Sequence, residues 1–184
     1  MPNYCENRLS VSGSVAAIKS FIALYFNKEG LDFNKVVPEP RRMKDCPEEY
    51  IIPRDKRSKS SVSQKEDRPW FDWYNFHLNK WGTKWSAVHY GTFEIPDDLM
   101  RADPTSHYEL DLYFDTAWST CRPIVQALIE KCSSLKFTLY YYECGMDFAG
   151  YYDETGDNPA DDTKQFAIDY MGYDEESFED EEDV

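Results

Sequence analysis

Lys84, Asp115 and Glu143 are the charged residues of this chain that fall where chemistry is often done, at strand ends or in the turns beside them. Two carboxylates and an amine gathered in one crevice could give and take protons. Indoles accompany them: Trp118 follows Asp115 by three positions, and Trp81 and Trp85 bracket Gly82-Thr83-Lys84. Trp81, Lys84, Trp85, Asp115, Trp118 and Glu143 are therefore the candidate residues for binding a ligand or a partner. A lysine paired to one carboxylate above packed tryptophans needs no substrate, and this plainer reading carries more weight. Paired tryptophans around a glycine turn are also more often packing anchors than pocket walls, given the area each buries. No residue is assigned a catalytic role.

Other chemistries find less support. His77, His89 and His107 show no H-x-H, H-E-x-x-H or Cys-His spacing, so neither a metal site nor a cofactor is expected. Cys121 stands near a predicted helix start that could activate a thiol, yet no base is paired with it, and an inert, buried cysteine is the expectation.

The elements that must position the candidates are legible from periodicity. From 107 to 118, Tyr108, Leu110, Leu112, Phe114 and Thr116 alternate with Glu109, Asp111, Tyr113 and Asp115, which predicts a strand with one buried face. Ser119 and Thr120 offer N-cap oxygens to a helix over 121–133, where Val125, Leu128, Ile129 and Cys132 form an apolar stripe. Residues 135–144 alternate again. The chain opens the same way, with a strand over 5–13 and a helix over 14–29 that Ser14 caps and Gly30 stops. Residues 41–68 lose periodicity and read as a long mobile insertion, followed by an aromatic block with a helix from Trp70 that ends near Gly82. Residues 87–95 read as a further strand.

The order β-α-β-β-α-β predicts an α+β ferredoxin-like sandwich, an antiparallel sheet with two helices on one face. No iron-sulfur cluster is implied, since the required thiolate spacing is missing. The opposite face would carry Glu6, Arg8, Ser10 and Ser12, then Glu109, Asp111, Tyr113 and Asp115, then Lys136, Thr138, Tyr140 and Tyr142. Its acids would repel phosphate, so RNA binding across the sheet is disfavoured. The tryptophan-rich insertion, or a partner, is expected to cover part of it.

Charge sets the domain plan. The net charge is -15, but 14 acids and the single base Lys164 fall from Asp153 onward, leaving residues 1–152 at a net of -2. A ferredoxin-like domain over 1–152, with an insertion at about 41–86, and an acidic extension over 153–184 are expected. Phe166, Ile168, Tyr170, Met171 and Tyr173 give that extension a means of docking locally. Over 41–68 nine bases are diluted by six acids, and no aromatics interleave the basic cluster 54–61, so it reads as a solvated loop before a nucleic-acid site. Five cysteines without a C-x-x-C pair, no signal pattern and no apolar run near the roughly 20 residues of a membrane span predict a reduced, cytoplasmic chain.

Five segments together resemble a known family. They are Met1-Pro2-Asn3-Tyr4-Cys5-Glu6-Asn7, Asp32-Phe33-Asn34-Lys35-Val36-Val37-Pro38-Glu39-Pro40, Trp81-Gly82-Thr83-Lys84-Trp85, Phe114-Asp115-Thr116-Ala117-Trp118 and Tyr142-Glu143-Cys144-Gly145-Met146-Asp147-Phe148-Ala149-Gly150. The chain resembles the YubB-like ferredoxin-like proteins of phages and conjugative plasmids over about residues 1–152. The family has no known biochemical function. The resemblance implies the fold, a mobile-element origin and a cytosolic bacterial setting.

These observations favour a non-catalytic binding protein of a mobile genetic element that engages a protein partner. One form of this is inhibition of a nucleic-acid-binding defence protein through an acidic surface. The alternatives are a small-molecule binder or hydrolase built on the six candidate residues, and a nucleic-acid binder acting through 54–61.

Overall fold

The structure, a computed structural model, describes residues 3–52 and 69–181, the last three by backbone alone. Strand β1 (Tyr4–Ser14) alternates as expected, and its end becomes the start of a helix. Ser14 Oγ accepts from Ala17 N at 3.3 Å and caps α1 (Val15–Tyr25), which buries Val15, Ile18, Phe21 and Ile22. The helix stops short of the expected residue 29. Asn27 draws the amides of Glu29 and Gly30 to its side-chain oxygen, and Phe26 bridges back to Leu31. Gly30, at φ +146°, lies so close under the His89 ring that a Cβ would sit 2.6 Å from it.

A short α2 (Phe33–Val36) follows. The described parts of the insertion are ordered. Turns at Met43–Asp45 and Glu48–Tyr50 lead to β2 (Ile51–Ile52), which pairs with β3 (Trp70–Phe71) ahead of α3 (Trp73–Lys80). Tyr50, Phe76 and Trp81 from this region join the main core, so the expected mobile loop is corrected for residues 41–52. The basic cluster 54–61 lies outside the described residues.

The strand expected over 87–95 is reduced to one bridge, Val88 with Asp115. Beyond it Gly91 turns at φ +120°, Phe93 N bonds to Lys28 O at 3.0 Å, and the Phe93 ring packs on Phe26 at 4.7 Å. Burying Phe93 against the end of α1 outweighs a second rung of the ladder. Helix α4 (Asp97–Arg101) then leads to β4 (His107–Ala117), α5 (Arg122–Lys131) and β5 (Leu135–Glu143). β6 (Phe148–Asp153), β7 (Gly156–Pro159) and α6 (Thr163–Phe166) complete the described chain with a π turn (Ala167–Met171) and a final 3-10 turn (Glu175–Glu181).

The main sheet is antiparallel throughout, in the order β4-β1-β5-β6-β7. β1 lies between β4 and β5 and runs against both, so β4 and β5 are parallel and joined by α5, with β1 inserted between them. Leu9 stands between Leu112 and Leu139 in register, all three buried, as one rung of the core under α1 and α5. Each such side chain contributes about 1.5–3 kcal/mol by leaving water.

The boundary expected after Tyr152 falls inside β6, and β7 continues the same sheet. Beyond it the chain turns under the sheet and docks there as a strap. Phe166 and Ala167 are buried with Tyr142 and Ala149, and Tyr140, Met171, Tyr173 and Phe178 pack around them. Tyr170 stacks on Tyr140 at 5.2 Å with 10° between the planes. Arg8 Nη1 donates to Tyr170 O at 3.0 Å, and Tyr173 donates its hydroxyl to Glu6 at 2.6 Å. The strap, and not the tryptophan-rich insertion, thus covers the part of the face opposite α1 and α5 that carries Tyr140 and Tyr142, so helical turns lie on both faces.

Candidate functional site

The N-terminal end of β1, the C-terminal ends of β4 and β5, and the loop around Lys84 meet at one end of the sheet, held by buried polar side chains. Asn7, 1% exposed, donates to Cys5 O at 2.8 Å and to Thr116 Oγ1 at 2.9 Å, and accepts from Thr120 Oγ1 at 2.7 Å. Thr83 exchanges two bonds with Ala117, and Ser119 donates to Gly82 O at 2.6 Å. The hydroxyls of Ser119 and Thr120, expected as helix caps, are spent here, and α5 begins without a side-chain cap. Gly82 (φ +82°) sits so near Thr120 and Pro123 that a Cβ would meet both within 3 Å. With buried polar groups this fully paired, one geometry of the loop is favoured.

Within this frame the six candidate residues separate. Trp81 is buried; it stacks on His77 at 3.8 Å and donates Nε1–H to Val37 O at 2.9 Å. His77 ties the loop in turn, its ring nitrogens 2.6 Å from Lys84 O and 2.5 Å from Glu39. Glu143, 1% exposed, accepts from the amides of Gly145 and Met146 and closes the β5–β6 turn. Asp115 accepts from the Tyr90 hydroxyl at 2.5 Å, and this contact raises the phenol to about 12. Trp81, Asp115 and Glu143 are thus each occupied apart from the others.

Lys84, Trp85 and Trp118 do come together. The Lys84 ammonium lies 4.8 Å from the centre of the Trp85 ring and 4.9 Å from that of Trp118. Among the described residues no carboxylate pairs with it. Trp118 holds a left-handed backbone (φ 63°), its N–H donating a hydrogen bond to Asn3 O at 2.9 Å, and stays 36% exposed.

Trp118 is also part of the wall of a cleft of about 320 Å³. It exists because β6 and β7 carry the sheet past the start of α5. Met146 and Phe148 are among its apolar residues, and Arg122, Tyr141 and Asp157 its polar centre. Asp157 takes the Arg122 guanidinium on one oxygen and the Tyr141 hydroxyl, at 2.8 Å, on the other. Burial first, and the neighbouring carboxylate second, push the Tyr141 phenol far above its ordinary range. Gly150 makes room, since a Cβ there would meet that hydroxyl at 2.6 Å. Sequence reasoning missed Arg122, Tyr141 and Asp157. The alternation of β5 marked Tyr141 as inward, but nothing local paired it with Asp157. Cys121 is wholly buried, which raises its thiol well above the ordinary range, so it offers no nucleophile at neutral pH.

Comparison with known proteins bears on the second half of the chain. Residues 100–184 match the family described as "Ferredoxin-like domain in Api92-like protein". This part of the chain is similar to a ferredoxin-like domain. The likeness agrees with the α+β class and the antiparallel sheet. It begins within α4 and so leaves out β1, the strand that separates β4 from β5. No curated protein and no solved structure matches the chain. Among the described residues no helix is long and apolar enough to cross a membrane, and no three His, Cys, Asp or Glu side chains gather as a metal site.

Proposed function

We propose that this chain is a non-catalytic binding protein, an accessory protein of a mobile genetic element in a bacterial cytoplasm, and that it takes a ring-bearing group of its ligand or partner into the cleft beside Trp118. The observation that carries the reading is the Trp118 backbone. A left-handed non-glycine residue costs of order 1–3 kcal/mol, and such strain gathers at functional sites. The turn could be made by glycine or asparagine without that cost. Here it holds a partly exposed indole that both lines the cleft and meets Lys84. Aromatic, methionine and arginine side chains at one exposed place are also the composition of binding hot spots. The test is a thermal-shift screen of single-ring compounds against the full chain and Trp118→Gly. Compounds that raise the melting temperature of the parent and not of the variant support the reading; equal shifts in both, or none, sink it.

Asp174, Glu175 and Glu176 point outward from the strap while Tyr173 and Phe178 pack beneath, which favours a second reading. A basic host protein, a nucleic-acid-binding defence protein included, would engage this acidic edge by imitation of nucleic-acid charge. Such binding weakens steeply with salt, and salt-independent binding, or binding unchanged by neutralising the three acids, removes it.

A further inference from the structure

The polar groups of the cleft are not equally satisfied, and the imbalance names a ligand. Ser119 and Thr120 turn their hydroxyls inward to Gly82 and Asn7. Asp157 has both oxygens engaged, and Tyr141 spends its hydroxyl hydrogen bond on one of them. Arg122 alone keeps a surplus. One nitrogen of its fork is on Asp157, and no other acceptor among the described residues takes its remaining N–H groups. A ligand that complements this cleft therefore brings an acceptor to Arg122 and a flat apolar body to Trp118, Met146, Phe148 and Pro159.

The charge balance narrows the acceptor. Asp157 already neutralises much of the guanidinium, so a dianion would meet a fixed carboxylate at close range, whereas a single negative charge is matched. A planar carboxylate also fits the fork of an arginine with two parallel hydrogen bonds. The volume of about 320 Å³ suits one ring or a fused pair. We infer that the cleft beside Trp118 is a site for a monoanionic aromatic carboxylate, its ring on the indole and its carboxylate on Arg122. This rests on the reading of the cleft as the binding site and adds the class of ligand.

The probes are indole-3-acetate, its neutral amide indole-3-acetamide, and phenyl phosphate, each titrated calorimetrically into the full chain. The acetate binds about tenfold tighter than the amide, the margin expected of a charge-assisted bond, and phenyl phosphate binds more weakly than the acetate. Arg122→Gln brings the ratio of acetate to amide to one or below while the amide still binds. Asp157→Asn, which frees the guanidinium, widens it. Equal binding of acetate and amide in the parent chain, or a ratio that neither substitution moves, overturns the carboxylate assignment and leaves the cleft reading standing. A preference for phenyl phosphate overturns the single-charge assignment. Failure of all three probes to bind removes the inference, and the cleft reading is then decided by the thermal-shift screen.

Discussion

Thr120 donates its hydroxyl hydrogen bond to Asn7 Oδ1 at 2.7 Å, joining two residues 113 positions apart in the chain. Both are buried, and Asn7 also serves Thr116 and the Cys5 carbonyl. This one side chain holds the turn that carries Trp118 against the N-terminal end of β1.

Asn7→Ala should therefore cost about 3 kcal/mol, because several buried partners lose their bonds at once. Urea denaturation of the parent and the variant measures it. A change below about 0.5 kcal/mol would show that water enters and repairs the network.

The strap yields a second prediction. Phe166→Ala removes the most buried ring that the strap adds to the lower cluster and should cost about 3 kcal/mol. Hydrogen exchange should quicken at least about tenfold across 163–173 while the centre of β1 and β5 stays protected, because the upper core is untouched. A chain ended at Tyr152 cuts β6 short and removes β7, so it should expose the Tyr140 and Tyr142 rings and bind a hydrophobic dye. Uniform acceleration across all strands would show that strap and sheet unfold as one unit.

The strands and their facing were legible because a period of two is a local property. Leu110, Leu112 and Phe114 had only to alternate with Glu109, Asp111, Tyr113 and Asp115 to declare their side. The strand around Val88 misled because alternation there was real, but Phe93 finds a better partner in Phe26, a long-range fact. The charge boundary at Asp153 misled in another way. Net charge reports on solvent, and the apolar residues Phe166, Met171 and Tyr173, spaced among acids, are what decide docking. Of the six candidate residues, Lys84, Trp85 and Trp118 share one surface, since two lie in one short motif. Trp81 and Glu143 are buried a few residues from exposed neighbours, a distinction that depends on which way each turn faces.

The pH dependence follows from Tyr141. Its phenol titrates higher folded than unfolded, so its contribution to stability is complete below about pH 10 and is lost as pH rises through the folded value. Tyr173, raised first by burial and then by its bond to Glu6, acts in the same direction. Stability should fall above about pH 10, and less steeply in Tyr141→Phe. Ultraviolet difference spectra should show one fewer late-ionising tyrosine in that variant. An unchanged count would place the Tyr141 hydroxyl in water.

At position 118 the backbone and the ring can be separated. Trp118→Gly suits φ 63° and should stay within about 1 kcal/mol of the parent, whereas Trp118→Val keeps a β-branched residue in the left-handed region and should lose about 2 kcal/mol or more. In both, Lys84 loses one of its two indole platforms. Equal melting temperatures for the two variants would mean that the turn relaxes out of the left-handed conformation.

The most direct measurement is a two-dimensional amide spectrum of the nitrogen-15-labelled full chain, assigned and titrated with charged and neutral single-ring fragments. Fragments that bind should shift Trp118, Arg122, Tyr141, Met146 and Phe148 together and leave Tyr170 and Tyr173 in place. Shifts confined to the strap, or a spectrum that no fragment moves, would contradict a binding site beside Trp118.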